Sequence, residues 1–160
     1  MKKLIGLAIF ILVVGTFIRA PVSGGKLSSM WGLRFSVDRL FHPGSDIALP
    51  TGSPIRPILP GRVTTTDYND RWGNYVYLSH YGVIQSRYLH LDAITVSPGE
   101  HVEYNTLIGT VGNTGLSTGP HLHFEIRVLA IPLPAYLLCL PGRIMQRLGL
   151  YGFIDGLMAK

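Results

Sequence analysis

Apolar and polar positions alternate most regularly in HLHFEIRV, from His121 to Val128. Read as a strand, it puts Leu122, Phe124, Ile126 and Val128 on one face and His121, His123, Glu125 and Arg127 on the other. Two histidines therefore share a polar face, two residue rises apart. Upstream, GNYVYLSHYG and VIQSRYLHL read as the arms of a hairpin that turns at Tyr81-Gly82. A strand is expected around Arg62 to Thr66, and PIRPILPG is a strand start broken by prolines. SPGEHVEYNTLIGTVGNTG holds two turns and another short strand. With 19 glycines and 11 prolines among many short apolar runs, the pattern predicts a mainly β fold rather than a helical bundle. A chain of 160 residues suits one domain with its own core.

The two ends depart from this pattern. MKKLIGLAIFILVVGTFIR places two lysines before an uncharged apolar run from Leu4 to Ile18. Residues 1–19 thus read as a signal peptide or an uncleaved membrane anchor, with a buried element of a soluble domain as the third reading. The run is short against the roughly 20 residues that span a bilayer comfortably. No good small-x-small cleavage site follows it. Residues 20–29, APVSGGKLSS, read as a linker. At the other end, residues 131–160 form an apolar, proline-broken extension. Its RIMQRLGLYGFIDGLMAK segment could be a short amphipathic helix with Arg143 and Arg147 on one side, packed on the sheet or touching a membrane surface. Cys139 in AYLLCLPG is the single cysteine, which excludes an intrachain disulfide and reads as a buried, inert thiol. A net charge of +5 suits an anionic partner, but no compact Lys/Arg stripe with interleaved aromatics supports nucleic-acid binding.

Candidate chemistry comes from combining clusters. FHPGSDIALPTG carries His42 and Asp46 four residues apart, and the Pro-Gly pair between them predicts a turn that can bring both side chains to one point. Imidazole nitrogen and carboxylate oxygen are zinc ligands, and three protein ligands leave a fourth position open, as catalytic zinc sites do. His42, Asp46 and one histidine of the His121/His123 pair could supply those three. The other histidine, together with His90 in SRYLHLDAI at an expected strand end, would then be free for proton transfer. Residue chemistry alone does not choose between His121 and His123. His80 reads as support for the hairpin or for a groove wall, His101 as an exposed turn residue, and Thr114, Ser117 and Thr118 as residues that shape a turn. Glu125 is placed to orient an imidazole, to bind a cation from behind the ligands, or to pair with an arginine.

HPGSD, YLHL and above all NTGLSTGPHLHFEIR resemble the lysostaphin-type family of bacterial zinc metalloendopeptidases, which cleave peptide bonds in peptidoglycan. The resemblance runs from about Met30 to Val128, within an expected metallopeptidase domain of residues 30–130, and takes in WGLRF, DIALPTGSPI, LPGRV, WGNYVYLSHYG and VGNTG. It implies a small antiparallel two-sheet, β-sandwich-like metallopeptidase domain with an open groove, to which the apolar amino end would add a hydrophobic helix. It implies Zn2+ held by His42, Asp46 and His123, with His90 and His121 catalytic, and peptidoglycan peptides as substrate. It also implies a cell-envelope location outside the cytoplasm, membrane-anchored or secreted. The alternative is a non-catalytic peptidoglycan-binding or amidase-activating module, which the complete set of five residues disfavours. RPILPG, with Arg56 and Pro57, and EYNTLIG depart from the family pattern and bear on groove shape.

Overall fold

The apolar face expected for HLHFEIRV is the centre of the molecule. In the computed structural model, which describes residues 17–36, 39–140 and 143–144, Leu122, Phe124 and Ile126 are fully buried. Phe124 packs on Tyr88 with ring centroids 5.4 Å apart, and Ile47, Leu78, Val76 and Leu91 close the core around them. Ile58 N–H donates to the buried Tyr88 hydroxyl oxygen at 3.1 Å, so the one polar atom of that ring is satisfied.

The strands in chain order are β1 (Lys26–Ser29), β2 (Gly32–Ser36), β3 (Arg39–His42), β4 (Ser45–Ala48), β5 (Pro54–Ile55) and β6 (Gly61–Asn69). They continue as β7 (Gly73–His80), β8 (Ile84–Ile94), β9 (His101–Val102), β10 (Gly109–Val111), β11 (His121–Val128) and β12 (Ile131–Leu133), and one helical turn, α1 (Ala135–Leu138), follows. Ten of these strands make one antiparallel sheet in the order β1-β4-β11-β8-β7-β6-β9. β10 bridges β5 and β8, and β12 pairs with β11. β2 and β3 form a separate two-stranded ribbon. The mainly β, antiparallel expectation therefore holds; among the described residues the strands form one ten-stranded sheet and a two-stranded ribbon rather than two sheets of a sandwich.

β11 lies between β4 and β8. His123 sits opposite Asp46 on one side and opposite Leu89 on the other. The expected hairpin is β7–β8, and its turn holds Tyr81 and Gly82 at positive φ of 51° and 75°. His80 closes this hairpin from inside. Its Nδ1–H donates to the Pro60 carbonyl at 2.9 Å, and its Nε2 accepts from the Ser86 hydroxyl at 2.8 Å.

The stretch read as a linker is built into the fold. Ala20, Pro21 and Val22 are buried, Arg19 N–H donates to Ile58 O, Arg56 N–H donates to Pro21 O, and Lys26–Ser29 is strand β1. Small and apolar residues that look like spacer in a sequence fit equally well beneath a sheet edge. Arg56 also donates from its guanidinium to the Asn105 carbonyl, so the two segments that depart from the family pattern meet each other. Cys139 is buried, and burial pushes its thiol up to about 12, which leaves it inert at neutral pH. Among the described residues no helix is long and apolar enough to cross a membrane. The expected N-terminal hydrophobic helix falls mainly on residues 1–16, and the expected C-terminal amphipathic helix mainly on residues 145–160; both lie outside the described residues.

His80→Ala would leave the Ser86 hydroxyl and the Pro60 carbonyl without their partner, at a cost of about 2–3 kcal/mol of unfolding free energy. Burial pushes His80 below the ordinary imidazole range, outweighing its hydrogen bond to Pro60. As pH falls below about 6.5 the unfolded chain takes up a proton that the folded chain refuses, so stability declines. The gap between wild type and His80→Ala in urea unfolding should therefore be widest at pH 8 and narrow towards pH 5.

Candidate metal centre

Strand pairing brings three sequence segments to one point. His42 ends β3, and the Pro43-Gly44 turn carries the chain into β4, where Asp46 lies beside His123 of β11. The turn passes directly over the His123 ring. A Cβ built at Gly44 would lie 2.6 Å from the Phe124 carbonyl oxygen and 2.7 Å from His123 Nε2, so only glycine admits this approach.

His42 Nε2 is 3.1 Å from His123 Nδ1 and 3.2 Å from Asp46 Oδ1, and His123 Nδ1 is 2.7 Å from Asp46 Oδ1. The partners on the far side of each ring decide what these atoms can do. His42 Nδ1 lies 2.8 Å from the Met30 carbonyl oxygen, which only accepts, so the proton sits on Nδ1 and Nε2 carries a lone pair. His123 Nε2 lies 3.2 Å from Glu125 Oε1, which likewise assigns its proton to Nε2 and leaves a lone pair on Nδ1. Two lone pairs and a carboxylate oxygen thus face one another at about 3 Å. Such a contact needs a proton or a cation between the donors. Although burial opposes it, the hydrogen bonds to Asp46 and Glu125 raise His123, so a proton can sit between its Nδ1 and Asp46 until a metal ion takes that place. Zinc bonds of about 2.0–2.1 Å in a tetrahedron set ligand atoms roughly 3.3 Å apart, so the trio matches the ion in donor type and in spacing.

Burial alone would raise the Asp46 carboxyl, but the hydrogen bonds to His123 and His42 and their charges hold it well below the ordinary carboxylate range. It is therefore ionised at neutral pH. Glu125 is pulled the same way against its burial, by His123 and Arg127, and stays charged while buried. It meets two of the expectations for it, orienting His123 through one oxygen and accepting from Arg127 Nε at 2.7 Å through the other.

The other two histidines stand beside the trio. His121 Nε2 is 4.0 Å from Asp46 Oδ1, while its Nδ1–H donates to the Gly119 carbonyl at 2.8 Å and lies 3.1 Å from the Ser117 hydroxyl. The His90 ring is 4.8 Å from that of His121 and 6.1 Å from that of His123, centroid to centroid. Its Nδ1–H donates to the Thr114 carbonyl at 2.8 Å. Burial, partly offset by the Thr114 bond, pushes His90 down to about 4, so it is neutral at physiological pH.

His90 is not at a strand end but in the interior of β8. Strict alternation from the core residues Ser86 and Tyr88 would bury it on the apolar face. The register between β7 and β8 slips here, with Asn74 opposite Leu91 and Val76 opposite Tyr88, so β8 carries one extra residue. His90 absorbs the bulge at a positive φ of 65° and turns to the polar face, while Leu91 returns to the core. Thr114 is the residue that sequence reasoning undervalued. Its carbonyl holds His90, its hydroxyl donates to Leu91 O at 2.7 Å, and it accepts from Asn74 N–H at 3.1 Å. The NTG turn was a visible signal for a bend, but not for what the bend grips.

All five residues line an open groove of about 730 Å³, whose walls include Phe41, Trp72, Tyr77 and Leu116. His80 and His101 lie outside it, as do Arg56 and Asn105.

Comparisons with known proteins place the chain in a family. A family model described as Peptidase family M23 matches residues 40–133. Two curated relatives from Vibrio cholerae serotype O1 are the peptidoglycan DD-endopeptidases ShyC and ShyA. They are 39% and 43% identical over stretches covering 72% and 59% of this chain, and 28% and 22% of their own lengths. This chain therefore spans less than a third of either relative. Among solved structures, a zinc containing peptidase from Vibrio cholerae is similar with a TM-score of 0.70 and 36% identity, over 75% of this chain and 39% of that one. The catalytic domain of lysostaphin from Staphylococcus simulans gives a TM-score of 0.65 and 29% identity, over 71% of this chain and 92% of that one. Since the family model takes in more than half of its 160 residues, the chain belongs to peptidase family M23.

Proposed function

We propose that this chain is a zinc-dependent endopeptidase that hydrolyses peptide bonds in the stem or crosslinks of bacterial peptidoglycan. The observation that carries the reading is the convergence of His42 Nε2, His123 Nδ1 and Asp46 Oδ1, with two further imidazoles beside them in an open groove. The names of the relatives, peptidoglycan DD-endopeptidases, support the substrate class. In this reading His42, Asp46 and His123 hold the metal. A zinc ion held there supplies a Lewis acid that polarises the scissile carbonyl and makes water more acidic.

The chain's own residues do the rest. Glu125 and the Met30 carbonyl keep His123 and His42 in the tautomers that present a lone pair. His121 and His90 each have Nδ1 engaged by a backbone carbonyl, so Nε2 is the nitrogen that exchanges a proton. Neutral at physiological pH, His90 can accept a proton from the attacking water. His121, at the edge of the trio, is placed to steady the developing oxyanion once charged and to return a proton to the leaving amine. Substrate location puts the working domain outside the cytoplasm. Residues 1–19 would export it, as an anchor or as a cleaved signal.

Single replacements of His42, Asp46 or His123 by alanine should abolish both zinc retention and the release of new amino termini from purified peptidoglycan. His121→Ala should lower turnover by at least about 100-fold, the scale of a lost general acid–base, while zinc content measured by metal analysis stays near stoichiometric. Stoichiometric zinc in the wild type with no cleavage of any wall type would instead favour a binding or activating module. Chelation should lower the melting temperature, and added zinc should restore it, because the ion binds only the folded arrangement of the three donors. His42→Ala should show no such shift.

A further inference from the structure

One step along the groove floor from the metal donors is a row of side chains of which the proposed chemistry uses only Glu125. Tyr77 of β7 sits opposite Arg87 of β8, and Arg87 sits opposite Glu125 of β11. The Arg87 guanidinium lies 4.4 Å over the Tyr77 ring, its Nε donates to Gln85 Oε1 at 2.7 Å, and its Nη1 stays 3.8 Å from Glu125 Oε2. Arg127 donates through Nε to that same oxygen, and its two Nη groups make no hydrogen bond among the described residues. The other Glu125 oxygen is occupied by His123. One carboxylate therefore faces two guanidiniums, an excess of one positive charge before any metal is counted.

The burial of these groups suits a ligand. Both arginine side chains are about a fifth exposed, at 20% and 21%, whereas Glu125 is 5% exposed. The arginines can be reached from the groove, and Glu125 braces them from below. The Tyr77 hydroxyl is buried without a hydrogen-bond partner among the described residues. Burial pushes it up to about 12, so it keeps its proton and remains a donor. Stacking on Tyr77 fixes the plane of Arg87, and a planar guanidinium matches a carboxylate in a way that an ammonium does not.

We infer that Arg87 and Arg127 form a carboxylate-binding subsite that recognises a free carboxylate on the substrate about two residues from the scissile bond. The distance follows from the strand. Glu125 is two residues from His123, roughly 7 Å along β11, and a substrate peptide in extended form covers that length in two residues. A guanidinium–carboxylate pair at a groove wall is charge-assisted and bidentate, so it selects the register of the peptide as well as its charge. The position of the cut relative to this carboxylate rests on the endopeptidase reading; the binding of the carboxylate does not.

The test uses zinc-loaded His121→Ala protein and soluble stem-peptide fragments whose carboxylates are either free or converted to amides, with affinity measured by calorimetry. The free form should bind at least about tenfold more tightly. Arg87→Gln and Arg127→Gln, each added to His121→Ala, should reduce that ratio to within about twofold, with the affinity for the amidated form unchanged. Arg87→Gln alone suffices if Arg127→Gln disturbs Glu125 and lowers the yield of folded protein. Equal binding of the two forms, no binding of either, or a preference that survives Arg87→Gln overturns the subsite. Cleavage of peptidoglycan by the wild type, followed separately, judges the endopeptidase reading, so either idea can fail while the other stands.

Discussion

Three acceptors, His42 Nε2, His123 Nδ1 and Asp46 Oδ1, are held within about 3 Å of one another, and much of the structure exists to hold them there. At that spacing the two imidazole nitrogens and the ionised carboxylate need a proton or a cation between them. The antiparallel pairing of β4 with β11 sets the spacing, because it puts Asp46 and His123 opposite each other on a common face. The Pro43-Gly44 turn adds His42 by passing so close to β11 that no side chain fits at residue 44. The buried opposite face, with Phe124, Leu122 and Ile126 packed on Tyr88 and Ile47, supplies the rigidity. A site of clustered donors depends on such packing to hold them at the spacing a cation requires.

The two neighbouring histidines of β11 do different work because they use opposite ring nitrogens. His123 offers Nδ1 to the trio and gives its Nε2 proton to Glu125, whereas His121 gives its Nδ1 proton to the Gly119 carbonyl and keeps Nε2 towards the groove. Backbone carbonyls of Met30, Gly119 and Thr114 assign three of the four tautomers at the site. Tautomer control is thereby built into turns whose sequences read only as turns. Glu125 extends the same logic outward, linking the metal donors through His123 to Arg127 and the Arg87–Tyr77 stack.

Much of the fold is legible in local patterns. The period-two alternation of HLHFEIRV marks β11 residue for residue, and Gly82 marks the β7–β8 turn. The candidate site is legible mainly through the resemblance carried by HPGSD, YLHL and the NTG-to-EIR run. Alternation put His121 and His123 on one face but could not divide their duties. For His90 it fails outright, since the parity of SRYLHL would send that histidine into the core; only the register slip against β7 turns it to the groove. Residues 20–29 illustrate the opposite error. Gly and Ser suggest a spacer, yet Ala20 and Val22 are buried and Lys26–Ser29 pairs with β4.

What the sequence determined by itself is therefore local: which residues alternate, where the chain must turn, and which side chains are chemically able to bind a metal. Those properties depend on neighbours one to four residues apart, and propensity and periodicity act over that range. Tertiary structure decided which of them meet. His42 and His123 are 81 residues apart in the chain, and His90 takes its tautomer from a carbonyl 24 residues away. Contacts of that kind are fixed by strand register and by a shared core, a property of the whole sheet that no single segment carries.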